Sequence, residues 1–151
     1  MKEFNSVFDS LQPQGQWQGG KFVTYTVVAP AVGQSARLVV PDWFALEVMT
    51  VRFSLVTSAA VANRFVAVTY QQPLTAGIAS TVPTAQVATT TIDYNFARDF
   101  GGVVGTVQSP CIQLPFTMVP PGGVVVVTAV NIDVGDQFSG VFITGLAWPL
   151  A

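Results

Sequence analysis

From Lys21 onward, apolar and polar residues alternate with a period of two, a spacing that admits strands and excludes amphipathic helices. Val23, Tyr25 and Val27 alternate with Thr24 and Thr26, and Met49, Val51, Phe53 and Leu55 alternate with Thr50, Arg52 and Ser54. Ile92, Tyr94 and Phe96 flank Asp93 and Asn95, and Ile112, Leu114, Phe116 and Met118 alternate with Gln113, Pro115 and Thr117. Each set predicts a strand with one face in a core. Pro115 cannot donate to a ladder, which predicts an edge position for the last of them. Residues 124–132 and 141–148 are largely apolar on both faces, so they are expected to be central or to lie against a partner. Residues 36–40, 64–71 and a weaker piece near 78–82 complete about eight or nine strands. Turn signals separate them at Pro30, Pro41, residues 58–63, Gln72-Pro73, residues 98–102, 120–123 and 133–136. Short strands with regular turns define a sandwich or barrel, and we read an all-β, jelly-roll-like two-sheet β-sandwich over residues 21–151. A short N-terminal arm and connector, residues 1–20, precede it.

Composition then narrows the function. Half of the chain is hydrophobic and only 9% is charged, where an average domain carries about a quarter charged residues. No window reaches the roughly 18 uninterrupted apolar residues of a membrane-spanning helix, and no membrane partner is expected. Apolar surface in excess of what charge can solvate is expected to end against other protein, as in an assembly subunit. The opening Met1-Lys2-Glu3-Phe4 is not followed by the apolar stretch of a secretory signal. Six basic residues, scattered at Lys2, Lys21, Arg37, Arg52, Arg64 and Arg98, form no cluster that would neutralise a phosphate backbone, so no nucleic-acid partner is expected.

Catalytic chemistry is poorly served. Histidine is absent, which removes Ser-His-Asp and Cys-His systems and the commonest metal ligand. Cys111 is the single cysteine and opens an apolar run, so it reads as a buried inert thiol. Asp42, Glu47, Asp93 and Asp99 lie in separate segments without a local pair. No enzymatic activity, cofactor or metal is therefore expected. The polar run from Asn131 through Asp133 to Asp136 offers oxygen ligands of the kind calcium takes, but it lacks EF-hand spacing and reads as a turn. The glycine-rich piece at residues 101–105 lacks the lysine of a phosphate loop and reads as a connection. Arg52 and Arg64 are expected at the surface, with an intersubunit ion pair as the alternative.

The interface candidates are Phe4, Val7, Phe8, Leu11, Trp17 and Trp148. The first four fall at i, i+3, i+4 and i+7, one face of a helix too short to stand alone, so that face must dock on something. The Gln-rich connector allows the arm either to fold over its own domain or to reach a neighbouring subunit. Tryptophan anchors cores and interfaces, and on a β-sandwich it also stacks on sugars. Trp17 and Trp148 read as interface residues, while Trp43, beside Pro41 and Asp42, fits either role.

Residues 41–70, centred on Leu55-Val56-Thr57-Ser58-Ala59-Ala60-Val61-Ala62-Asn63-Arg64, resemble small structural proteins of tailed-bacteriophage virions. So do residues 114–148, with Val119-Pro120-Pro121-Gly122-Gly123 and the Asn131–Gln137 turn. The resemblance implies a virion location and a subunit that binds itself and the major capsid protein or another virion protein. It fits a capsid decoration or cement protein. Neck, tail or head-fibre components share the pattern, and a carbohydrate-binding β-sandwich for host attachment is the alternative of another class.

Overall fold

A computed structural model describes residues 19–72, 75–98 and 103–150. The arm residues Phe4, Val7, Phe8, Leu11 and Trp17 lie outside them. The described residues form strands β1 (Lys21–Val27), β2 (Ala36–Val39), β3 (Phe44–Val56), β4 (Phe65–Gln72), β5 (Thr75–Thr81) and β6 (Thr91–Ala97). They continue with β7 (Val103–Thr106), β8 (Ser109–Gln113), β9 (Met118–Val119), β10 (Val124–Val130), β11 (Gln137–Phe138) and β12 (Val141–Pro149).

Two sheets result. One has the order β1-β12-β3-β6-β8-β7, with β9 and β11 also pairing with β3; the other has the order β2-β10-β4-β5. Four antiparallel pairs nest inside one another along the chain: β1 with β12, β2 with β10, β3 with β6, and β4 with β5. This is the path of an antiparallel ribbon folded over on itself, the jelly roll expected from the spacing of the strands. The inward faces supply a single core, including Tyr25, Phe44, Phe53, Tyr94 and Phe96 from the first sheet and Leu38, Val68, Tyr70 and Val125 from the second.

The strands apolar on both faces are central, as expected: β10 lies between β2 and β4, and β12 between β1 and β3. Alternation also places Val23, Tyr25 and Val27 inward and Thr24 and Thr26 outward. Elsewhere the sequence pattern misleads. In β3 the inward phase is Phe44, Leu46 and Val48 before it becomes Val51, Phe53 and Leu55. A bulge makes the change: Thr144 faces Thr50 while the next residue, Gly145, faces Val48, leaving Met49 as the extra residue. Gly145 permits that approach, because a Cβ there would lie 2.3 Å from the Glu47 carbonyl oxygen.

The single edge strand expected from Ile112 to Met118 is two strands. β8 ends at Gln113, Pro115 occupies the break, and β9 resumes in the opposite phase with Val119 buried and Phe116 left exposed. Nor is β8 an edge, since it lies between β6 and β7, parallel to the former. The glycine-rich piece includes part of β7, which forms a hairpin with β8. Cys111, expected in the core, is half-buried, facing outward opposite Asn95.

Candidate interaction surfaces

One end of the sandwich is organised by a buried ion pair. Arg64, expected at the surface or in a contact between subunits, has no exposed side-chain surface and meets Asp136 of the same chain. Nε donates to Asp136 Oδ2 at 2.9 Å and Nη2 to Oδ1 at 3.0 Å. Nη1 donates to the carbonyls of Ala60 and Ala62, and Nη2 also reaches Ser58 Oγ. These bonds use the full donor set of a guanidinium, which is what burial of the charge demands. Asp136 in turn accepts the backbone N–H groups of Ser58 and Asp133. Burial alone would raise its pKa, but the Arg64 pair and those two amides outweigh it and hold the carboxyl below the ordinary range.

The Asn131–Asp136 run is thus a turn, with its carboxylates committed to protein donors. Asp133 Oδ1 accepts the Gly135 amide and the Ser58 hydroxyl, both at 2.9 Å. Gly33 N–H donates to the Asp136 carbonyl, tying in the β1–β2 connection. The loop ends so fixed present Val32, Val61 and Val134 to solvent.

A second surface is the outer face of the β2-β10-β4-β5 sheet. The register aligns Val39, Val124 and Gln71 in one row and Arg37, Val126 and Thr69 in the next. Thr128 with Ala67 and Val130 with Phe65 continue the face. Arg37 carries the only charge on these four strands. Its Nη2 donates to Gln71 Oε1 across β10, and Val39 and Val130 stay exposed.

The third surface lies on the other sheet, where β1, β12 and β3 begin or end. Phe22, Leu146, Glu47 and Met118 form one outward row across β1, β12, β3 and β9. Trp148 is half-buried beside them and donates its indole N–H to Glu47 Oε2 at 2.9 Å. The other Glu47 oxygen pairs with Arg98, whose guanidinium sits 5.0 Å from the centroid of the Phe116 ring. Phe116 is 68% exposed, so the shielded ion pair is covered on the Arg98 side by an aromatic ring that faces water, and Phe22, 64% exposed, lies beyond Leu146 at the end of the row. Further along the same face the outward residues are mostly polar, Thr24, Thr26, Thr50, Thr144, Arg52 and Asn95, with Phe142 as a single exposed ring between Thr26 and Arg52.

Arg52 is exposed, as expected, in a shallow hollow with Asp93, Asn95 and the outward ring of Phe142. A cleft of about 230 Å³ lies beside β6 and the β7–β8 hairpin, lined by Val82, Ile92, Val107 and Pro110 among others. Tyr94 is the one titratable residue among its described lining; burial pushes that phenol up to about 12, and its hydroxyl donates to Gln86 Oε1. Trp43 stacks edge-on against Phe44, with ring centroids 4.7 Å apart.

Of the interface candidates in the sequence, only Trp148 falls among the described residues. Phe22, Phe116 and the two ion pairs escape sequence reasoning. Phe22 did carry a signal, since it puts a large apolar group on the polar phase of β1. Comparison of the chain with protein-family models and with curated protein sequences finds no match.

Proposed function

We propose that this protein is a non-enzymatic structural subunit of a tailed-bacteriophage virion, a capsid decoration or cement protein that stabilises the shell by binding its neighbours. The observation that carries this reading is the outer face of β2-β10-β4-β5, a sheet surface with Arg37 as its single charge. An exposed apolar patch with so little charge marks a surface that other protein covers. The seven residues of β10 give a length of about 23 Å, and four strands a width of about 19 Å. The flat footprint is on the order of 440 Å², about half of what one partner contributes to a standard interface. A single contact through this face is therefore weak, and repetition around a shell supplies the avidity. Non-enzymatic action accords with the lack of histidine and with carboxylates at Glu47, Asp133 and Asp136 that are committed to structural bonds.

Sedimentation of the purified chain tests the contact. Val39→Lys with Val130→Lys changes two exposed side chains, which leaves domain stability within about 0.5 kcal/mol. At high protein concentration, where a weak contact is populated, the wild type sediments above 16.0 kDa and the variant shifts to that mass. A wild type that stays monomeric over a wide concentration range argues against the reading.

One observation favours a second reading, a carbohydrate-binding β-sandwich for host attachment. Phe142 is exposed beside Arg52, Asn95 and Asp93, an apolar ring with hydrogen-bonding groups around it. Glycan-array binding lost on Phe142→Ala would support it over the cement role.

A further inference from the structure

We infer that the apolar end of the β1-β12-β3 face is the docking site for the first eleven residues of the same chain, with Phe4, Val7, Phe8 and Leu11 laid against Phe22, Leu146, Trp148 and Met118. This inference stands apart from the virion reading, because it concerns what covers one surface of the subunit itself.

Three observations point to that occupant. The first is confinement. The contiguous apolar row Phe22–Leu146 with Met118 and Trp148 occupies one end of the face; the next row is Thr24, Thr144 and Thr50, and the one beyond it sets the single ring of Phe142 between Thr26 and Arg52. An occupant must therefore be short and apolar along one side, and the Phe4-Val7-Phe8-Leu11 spacing has that character.

The second is where the chain joins the fold. Gly20 packs directly under Trp148: a Cβ on it would lie 2.7 Å from the indole Cε2. Gly19 has φ +116°, a left-handed conformation that favours glycine, so the backbone changes direction at the edge of the apolar surface. The described chain therefore begins at this end of the sheet, beside Trp148.

The third is reach. The row from Phe22 to Met118 crosses three interstrand gaps, about 14 Å. Residues 12–18 span up to about 23 Å when extended, enough to place residues 4–11 anywhere along it. A tether that short gives the chain's own arm an effective concentration in the mM range, far above that of a second copy in solution. The same chain is therefore the favoured occupant. Docking also gives the short apolar face the tertiary support that it needs.

The test uses the full chain with Trp17→Phe and Trp43→Phe, so that Trp148 is the sole indole. In that background Phe4→Ser with Phe8→Ser uncovers Trp148: its emission moves to longer wavelength and its quenching by acrylamide rises, while far-ultraviolet circular dichroism keeps the β signature. Unchanged emission and quenching overturn the inference. A second arm uses Phe8→Cys with Phe22→Cys in a Cys111→Ser chain under mild oxidation. The expected product is a disulfide within one chain, running at monomer mass without reductant. A disulfide that forms only between chains assigns the surface to a second copy and overturns the same-chain docking, as does the absence of any disulfide.

Discussion

The Arg64 guanidinium and the Asp136 carboxylate, 72 positions apart in the chain, meet through two parallel hydrogen bonds with no exposed side-chain surface on either residue. The pair joins the β3–β4 connection to the β10–β11 turn, and through Gly33 the β1–β2 connection as well. Three loops that would otherwise move separately are thereby held as one unit at the end of the sandwich. Buried pairs of this kind contribute specificity of arrangement more than net stability, because desolvation offsets much of the attraction.

Removing one partner leaves the other charge buried without compensation. Asp136→Leu and Arg64→Met are each expected to lower the unfolding free energy by about 3–5 kcal/mol. Replacing both, as Arg64→Met with Asp136→Leu, is expected to cost much less than the sum of the single changes, since no orphan charge remains. Urea unfolding of the four proteins checks the cycle. Additive losses would show that the two residues act separately.

The pH profile follows from the same carboxylate. Asp136 has a folded pKa below its ordinary value, so its contribution is complete above the unfolded value of about 4 and is lost as pH falls through the folded one. Asp136→Asn should flatten the acid limb of the stability curve. At the alkaline end, burial raises Tyr25 and Tyr70 and takes Tyr94 to about 12. The unfolded chain therefore loses its phenolic protons first, and stability declines as pH rises above the ordinary tyrosine value of 10.0. Thermal melts across pH 2–12 read both limbs; an acid limb unaltered by Asp136→Asn would contradict the assignment.

Divalent cations should leave stability untouched. The oxygens that calcium would take at Asp133 and Asp136 already accept bonds from Ser58, Arg64 and backbone amides. Binding a cation would require those bonds to break. Melting curves in calcium and in chelator are expected to coincide. A chelator-induced drop would make Asn131, Asp133 and Asp136 ligands and overturn the turn reading.

Much of the fold was legible because period-two alternation reports directly on burial. Thr24 and Thr26 face out, Tyr94 and Phe96 face in, and the doubly apolar β10 and β12 are central. Alternation fails where the backbone changes phase for reasons outside the strand itself. Met49 is displaced by a bulge that depends on Gly145, some hundred residues away, and Phe116 is turned outward by the break at Pro115. The candidate sites were less legible. An arginine on the approach to a strand carries no mark that a carboxylate far along the chain will bury it, so Arg64 was expected at the surface. Glu47 likewise reads as a solvated group until the fold brings Arg98 and Trp148 to it.

We propose that this jelly roll works by holding neighbouring proteins in a virion shell. A density map of the intact particle tests it most directly. The expected map shows a repeated β-sandwich on the shell, with the β2-β10-β4-β5 face carrying Val39, Val124 and Val130 against an adjacent protein. A particle that lacks this chain, or that carries it with that face fully in solvent, would contradict a cement role.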